Sequence, residues 1–477
     1  MRRSFWLQSS IILCAVAGWG PGARAQSIEE TLSRAYIQST QLNGQRAQQR
    51  ATDEQVPQAL SNWRPTVVLN GAITRQFTDY GPPGYNVLED IEGSKFGTSK
   101  QVGLQVTQNI YRGGRTEAQT SQATNTVKSG QASLAASEES VLLAAAQSYL
   151  DVVRDQSTVE LNIKNENVLK RQLEAEQDRF RVGEVTRTDV ALAEASYQQA
   201  IAQYQTAVGT LESDRATFQR VVGQAPGKQL VQPPFHYELP GSLEDAVGEA
   251  EANNPAVIAA IFTERASRDA VDLTEGARLP TIAIVGTYSR LYPGQGGTYS
   301  LIDSEGHFQR GLPNVNHIDN ASIAAQLTWP LYTGGLTSSQ VRQAKQTANQ
   351  ALIAVEDSKR VARQSAITAW QQLTTARANI TALGAQVTAA QIGSEGTRQQ
   401  ALVGTATVLD SLTAEQNLLQ AEVNLVSAQH DALLFSFELL SAVGRLTARD
   451  LALPVSIYDP QVNQNRVGDK WFGTGIE

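Results

Sequence analysis

Cysteine is nearly absent from this chain of 477 residues: the only one is Cys14. A disulfide framework is therefore excluded, and packing or assembly must hold the fold. After Ala25 no apolar run reaches the ~20 residues that a spanning helix needs, so helices cannot carry the chain through a bilayer. The four histidines, His236, His307, His317 and His430, are scattered without metal-ligand spacing, and neither metal nor cofactor is expected. There is no phosphate-cradling Gly-Lys motif and no serine elbow, so no enzyme chemistry is expected. Basic charge is also scarce. The chain has 39 Lys and Arg against 47 Asp and Glu; setting aside Arg2, Arg3 and Arg24 leaves 36 against 47, a net of −11. That excludes nucleic acid as an expected partner and suits an acidic surface or a lumen that prefers cations.

Residues 1–25 have the pattern of a cleaved signal peptide. Arg2 and Arg3 precede the apolar run Phe5 to Trp19, and Ala23-Arg24-Ala25 forms a small-x-small cleavage box. Cys14 lies inside this segment.

The remainder states one pattern twice. Val106-Thr107-Gln108-Asn109-Ile110-Tyr111-Arg112-Gly113-Gly114 returns as Leu327-Thr328-Trp329-Pro330-Leu331-Tyr332-Thr333-Gly334-Gly335, an offset of 221 that also carries Gly183 onto Gly404, Asp189 onto Asp410 and Gly223 onto Gly444. An offset of 215 carries Ser27-Ile28-Glu29 onto Ser242-Leu243-Glu244, Pro65 onto Pro280 and Arg75 onto Arg290. Duplication over so long a period builds one continuous architecture. The expected divisions are 1–25, the signal peptide; 26–240, the first repeat; 241–453, the second; and 454–477, a C-terminal segment with a mobile polar tail.

Two periodicities alternate within each repeat. Thr116 to Val182 has no proline and one glycine, Gly130, and Leu336 to Val403 is similar. Each predicts a helix of about 70 residues, about 100 Å long. Shorter helices of about 35 residues are predicted over Ile28–Asn62, Thr188–Val222, Leu243–Arg278 and Val408–Val443, two of which equal one long helix end to end. In the last, Leu412, Gln416, Leu419, Val423, Val426, His430, Leu433 and Phe437 step by fours and threes, with His430 as a seam residue. The second period is two. Around Val67–Thr74, Val102–Thr107, Thr281–Tyr288 and Ile323–Trp329, apolar side chains alternate with Gly, Gln, Asn and Thr. These predict four strands of about 10 residues, the length of a tilted membrane-crossing strand. Trp63, Tyr111, Trp329 and Tyr332 fall at their helix-proximal ends, where an interfacial girdle sits. Asp79–Lys100 and Pro293–Asn320 are predicted as long exposed loops.

Four strands cannot close a barrel, which needs about eight, and lipid does not tolerate an open edge. The chain must therefore assemble. Pro65 and Pro280 end a helix and start a strand. Gly113-Gly114 and Gly334-Gly335 turn a strand into a long helix.

Through about Leu453 the chain resembles the TolC-like outer-membrane efflux and secretion proteins. The resemblance rests on the two Tyr-x-Gly-Gly junctions, the two Pro-Thr junctions, and the segments Arg179-Phe180-Arg181-Val182-Gly183-Glu184-Val185-Thr186-Arg187-Thr188-Asp189-Val190 and Ala401-Leu402-Val403-Gly404-Thr405-Ala406-Thr407-Val408-Leu409-Asp410. It implies a mixed, mainly α fold: a homotrimer with a 12-strand outer-membrane β-barrel, four strands per protomer, continuous with a long periplasmic α-helical barrel. Gln224 to Gly241 and the stretch after Leu453 would form an equatorial girdle.

The resemblance also implies partners and sites. The partners are outer-membrane lipid, a periplasmic adaptor (membrane fusion) protein, and an inner-membrane ABC, RND or MFS-type transporter that supplies the energy. Val182, Gly183, Glu184, Val403, Gly404 and Thr405 would form adaptor-docking tips. Asp410 would form an acidic ring at the periplasmic entrance, and Asp189, beside Thr188, would join a closing network. Thr413 stands where the family has a second aspartate and Ala406 where it has a gate arginine, so the closed-state bonding differs. The expected function is a passive exit duct of tripartite efflux or type I secretion. The rival expectation, a soluble periplasmic coiled-coil adaptor or scaffold, explains the helices but not the strands.

Overall fold

The computed structural model describes residues 26–80, 93–292, 301–302, 308–309 and 316–476. The expected signal peptide lies outside them, as do the tips of both expected loops.

The chain begins with three short helices, α1 (Ile28–Gln38), α2 (Thr40–Asp53) and α3 (Gln55–Leu60), and a 3-10 turn at Ser61–Trp63. A hairpin of β1 (Thr66–Tyr80) and β2 (Gly93–Tyr111) follows, then α4 (Arg115–Arg181) and α5 (Arg187–Val222). The second half repeats this with α6 (Leu243–Asn253), α7 (Pro255–Gly276), β3 (Thr281–Tyr292), the two-residue strands β4 (Leu301–Ile302) and β5 (Phe308–Gln309), β6 (Ile318–Thr328), α8 (Leu336–Leu402) and α9 (Val408–Ala442). A last helix, α10 (Pro460–Gly468), closes the chain.

Both long helices have 67 residues, about 100 Å of rise. Each starts at a glycine in the left-handed region, Gly114 at φ 73° and Gly335 at φ 85°. The glycine before each differs in purpose. A Cβ on Gly113 would fall 2.5 Å from the Gly276 carbonyl oxygen, so the strand-to-helix turn presses on the end of α7; at Gly334 the space is open.

Two expected helices are broken. Ile28–Asn62 stops at Ser39 and Leu243–Arg278 stops at Asn254, equivalent positions of the two halves. Both residues leave helical ψ, at 120° and 123°, and cap the next helix by accepting from Leu42 N and Ala256 N. Pro255 enforces the second break, because the residue before a proline is pushed out of helical conformation.

The strands exceed the expected length, 15 and 19 residues in the first hairpin. Residues 79–80, 93–100 and 318–320, expected as loop, continue the ladders. The sheet order is β1-β2-β3-β6, antiparallel throughout, so the hairpins of the two halves pair through β2 and β3, and β1 and β6 are its edges.

The largest buried cluster among the described residues lies midway along α4. Leu142, Tyr149 and Val152 pack with Leu32 and Tyr36 of α1, Phe218 of α5, Phe437 of α9, and Leu446, Leu451 and Leu453. The segment between the halves joins this core through Leu230 and an edge-to-face cluster of Phe235, Tyr237 and Phe437. Tyr149 Oη lies 2.9 Å from the Gln26 carbonyl and 2.7 Å from that of Val231, donating to one at a time. The tail expected to be mobile instead forms α10, whose Asn463 donates to Asp53 of α2 at 2.7 Å.

Candidate functional site

The sheet has two unlike faces. Directly paired residues of antiparallel strands share a face. One row reads Val67, Val106, Gly286, Ile323, and the next Leu69, Leu104, Tyr288, Ala321. Ile282, Ile284, Ala325 and Leu327 extend this apolar face toward the helices. Its members are exposed, Ile73 at 73% and Ile323 at 85%, and no described residue covers them. The opposite face carries Asn70, Gln105, Thr287, Ser289, Ser322 and Asn320; Thr287 and Ser322 share a 2.7 Å hydroxyl–hydroxyl bond. On the apolar face each strand ends its apolar run in charge, at Arg75, Lys100, Arg290 and Asp319, the last two joined by bonds of 2.7 and 2.8 Å. No helix among the described residues is long and apolar enough to cross a membrane. The strand wall offers that surface instead.

At the other boundary the two junctions are built alike. Pro65 and Pro280 each lie immediately before their strand. Gln108 Nε2 donates to the Trp63 carbonyl at 2.9 Å, and its counterpart Trp329 Nε1 donates to the Arg278 carbonyl at 3.2 Å. Trp63, Tyr111, Trp329 and Tyr332 are all exposed there.

The far end holds two hairpin tips. Gly183 (φ 84°) and Gly404 (φ 78°) turn the chain in the left-handed region, where β-branched side chains are strained. Beside them Val182 and Val403 are 72% and 75% exposed. Glu184 is tied to Arg179 at 3.4 Å, and Arg179 also meets the buried Glu176 at 3.4 Å. The counterparts of Arg179 and Glu184 in the second tip are the uncharged Gln400 and Thr405. Leu169, Ala200, Val408 and Leu412 form one buried cluster, which packs the start of α9 against the first hairpin.

Asp189 and Asp410 occupy identical capping boxes. Asp189 Oδ2 accepts from Thr186 N at 2.9 Å and Oγ1 at 2.7 Å; Asp410 Oδ2 accepts from Thr407 N and Oγ1 at the same distances. These bonds, hydroxyl first, hold both carboxyls below their usual range, so both are ionised near neutral pH. Thr188 is exposed. Thr413 turns its hydroxyl back onto the Leu409 carbonyl at 2.8 Å.

The sequence did not show a charge knot in the interior. Arg154 of α4 binds Asp151, Asp155 and Asp214 of α5 at 3.0, 2.8 and 3.2 Å. His430 of α9 lies 3.0 Å from Asp151 and 2.9 Å from Asp431. Burial and the neighbouring Asp155 push Asp214 up to about 6. Burial pulls His430 down, but the Asp151 and Asp431 carboxylates beside it outweigh that, and the net shift is upward. The visible signal was the Asp151-x-x-Arg154-Asp155 spacing on one helix; its partners are 60 and more residues away.

The family model described as outer membrane efflux protein matches residues 31–224 and 246–445. The chain is 33% identical over 465 residues to outer membrane efflux protein BepC of Brucella suis, covering 98% of this chain and 95% of that one. It is 25% identical over 435 residues to outer membrane protein TolC of Vibrio cholerae, covering 90% and 92%. Its fold matches the crystal structure of the Campylobacter jejuni CmeC outer membrane channel with a TM-score of 0.77, at 15% identity, over 93% and 90% of the two chains. The soluble-adaptor expectation is overturned by these similarities, and physically by the uncovered apolar strand face.

Proposed function

We propose, because this chain belongs to the outer membrane efflux protein family, that three copies of it close one barrel and serve as the passive exit duct of a tripartite efflux or type I secretion system. The chain is an outer-membrane protein. Its strand wall supports the duct most directly: an apolar face, a polar face and two edges left unpaired among the described residues, leading into helices of 67 residues. A bilayer requires those edges to be paired. Threefold closure pairs each β1 with a neighbour's β6 and turns the polar face toward a wet lumen.

The helices continue the lumen into the periplasm, and the tips close it. Val182 and Val403, held out by the turns at Gly183 and Gly404, offer apolar knobs to a helical adaptor, with Glu184 and Thr405 beside them. Symmetry would set three Asp410 carboxylates around one axis, where their fields add within a Debye length of about 8 Å. Asp189, Thr188 and Thr413 would line the same constriction. Energy would come from an inner-membrane ABC, RND or MFS-type transporter through the adaptor. The similarity to the efflux protein BepC favours efflux over secretion for the cargo.

Sedimentation in detergent and planar-bilayer recording test this together. A trimer with discrete conductance steps is expected. A well-folded monomer that conducts nothing would overturn the duct.

A further inference from the structure

Residues 460–476 run along α2 to the foot of the strand wall. Asp459 caps α10 by accepting from Gln461 N, Val467 is buried, and Gln131 of α4 donates to Gln464 at 2.9 Å. With the Asn463–Asp53 bond, these contacts fix the helix along α2. The chain then meets the foot of the strand wall. Arg64 Nη1 donates to the Lys470 carbonyl at 2.8 Å, and the Arg64 guanidinium lies 4.5 Å from the centre of the Trp471 ring. Arg64 stands between Trp63 and Pro65, one residue further from β1 than the proline. Beyond Trp471 the chain forms a closed loop. Gly473 turns it at φ 99°, and Lys470 Nζ donates to the Gly475 carbonyl at 2.7 Å. This loop exposes Trp471, Phe472 and Ile476 at 59%, 87% and 94%.

We infer that residues 470–476 form a membrane foot, which seats Trp471, Phe472 and Ile476 in the headgroup–acyl boundary of the periplasmic leaflet. Three observations converge on lipid as the occupant. Trp471 packs on Arg64, the residue after Trp63, so with its neighbour Phe472 it extends the girdle formed by Trp63, Tyr111 and Trp329. Tryptophan and its neighbours belong at that depth, with an apolar body in the acyl region and a polar edge in the headgroups. Arg64 and Lys470 supply cations beside the aromatics, which matches anionic headgroup phosphate. Three large apolar side chains left in water would be an exposed patch without a purpose. The foot needs the outer-membrane placement of the strand wall, and it adds a second contact with the bilayer that the barrel does not require.

After removal of the expected leader the chain has no cysteine, so single labels are possible. Phe472→Cys, Ile323→Cys on the apolar strand face and Gln205→Cys on α5 each receive a nitroxide. The full chain is reconstituted in vesicles of phosphatidylethanolamine and phosphatidylglycerol. Collision with oxygen is compared with collision with a water-soluble nickel chelate. The oxygen-to-nickel ratio at 472 is expected to exceed that at 205 several-fold and to fall below that at 323. Lipid exposure at 323 with a water-like ratio at 472 would overturn the foot alone. A label at 472 shielded from both reagents would place it against a neighbouring copy, and would also overturn it. Water-like ratios at both 323 and 472 would sink the barrel together with the foot.

Discussion

Asp410 places its cap bonds on one oxygen, and this makes its two possible duties separable. Oδ2 accepts both the N–H and the hydroxyl of Thr407, as a capping box requires. Asp410→Asn keeps an acceptor for that N–H and removes the charge. The hairpin is expected to stay folded, while the cation-over-anion permeability ratio in planar bilayers falls several-fold, because a carboxylate ring in a narrow mouth favours cations. An unchanged ratio would take the side chain off the pore axis and leave it the helix cap alone. The predicted helix starts at Thr188 and Val408 already placed both aspartates in a first helical turn. Their relation to a pore axis was not legible, since an axis belongs to an assembly and not to a chain. The Arg179–Glu184 tie has the same character: Glu184 was legible as a tip residue, but its partner Arg179 became evident only once the turn had folded.

Among the elements, the long helices and the breaks between halves were legible to different degrees. Proline-free runs of 67 residues announce themselves. The break at Asn254 had a signal in Pro255, whereas Ser39 was one serine among many, and the apolar period runs through it. His430 was legible as a seam position and is indeed buried, yet its heptad neighbours gave no hint of the aspartates it meets. Those contacts tie α9 to α4, and Arg154 ties α4 to α5. The facing groups are Asp151, Arg154 and Asp155 on α4, Asp214 on α5, and Asp431 beside His430 on its own helix. His430 is held above its usual value. Its stabilising contribution is therefore complete below the unfolded value of about 6.5 and is lost as pH rises through the folded one. Asp214, raised to about 6, acts in the same direction, because the folded state holds its proton more tightly than the unfolded chain does. Thermal unfolding in detergent should thus show the wild type losing stability between pH 5.5 and 8, with a shallower loss in His430→Gln. Equal slopes in the two proteins would mean that the imidazole carries no charge in the folded knot.

For the whole molecule, the alternation of period two made the strand wall readable, and the register shows why so short a signal sufficed. Four strands aligned in antiparallel register bring most apolar residues of the pattern to one face, with Val68 and Val285 among the few on the other. Strand length was underread because 79–80 and 93–100 lose the apolar alternation while keeping the ladder. Adjacent residues of β6 now offer a sharp comparison. Ile323 lies on the apolar face and is 85% exposed; Ser322 lies on the polar face and bonds Thr287 across the ladder. Both sit mid-strand, so depth in the bilayer is nearly the same. An arginine facing lipid at the midplane costs about 2–4 kcal/mol, and threefold closure would incur this three times in one barrel. Ile323→Arg should therefore be depleted from the outer-membrane fraction, with the chain recovered as periplasmic aggregate or degraded. Ser322→Arg should insert at near wild-type levels, since its charge enters a wet lumen, and should shift the channel toward anions in planar bilayers. If the two variants insert equally well, the faces do not divide lipid from water and the barrel is wrong. If Ser322→Arg is the one depleted, the sheet is inverted, with its polar side toward lipid.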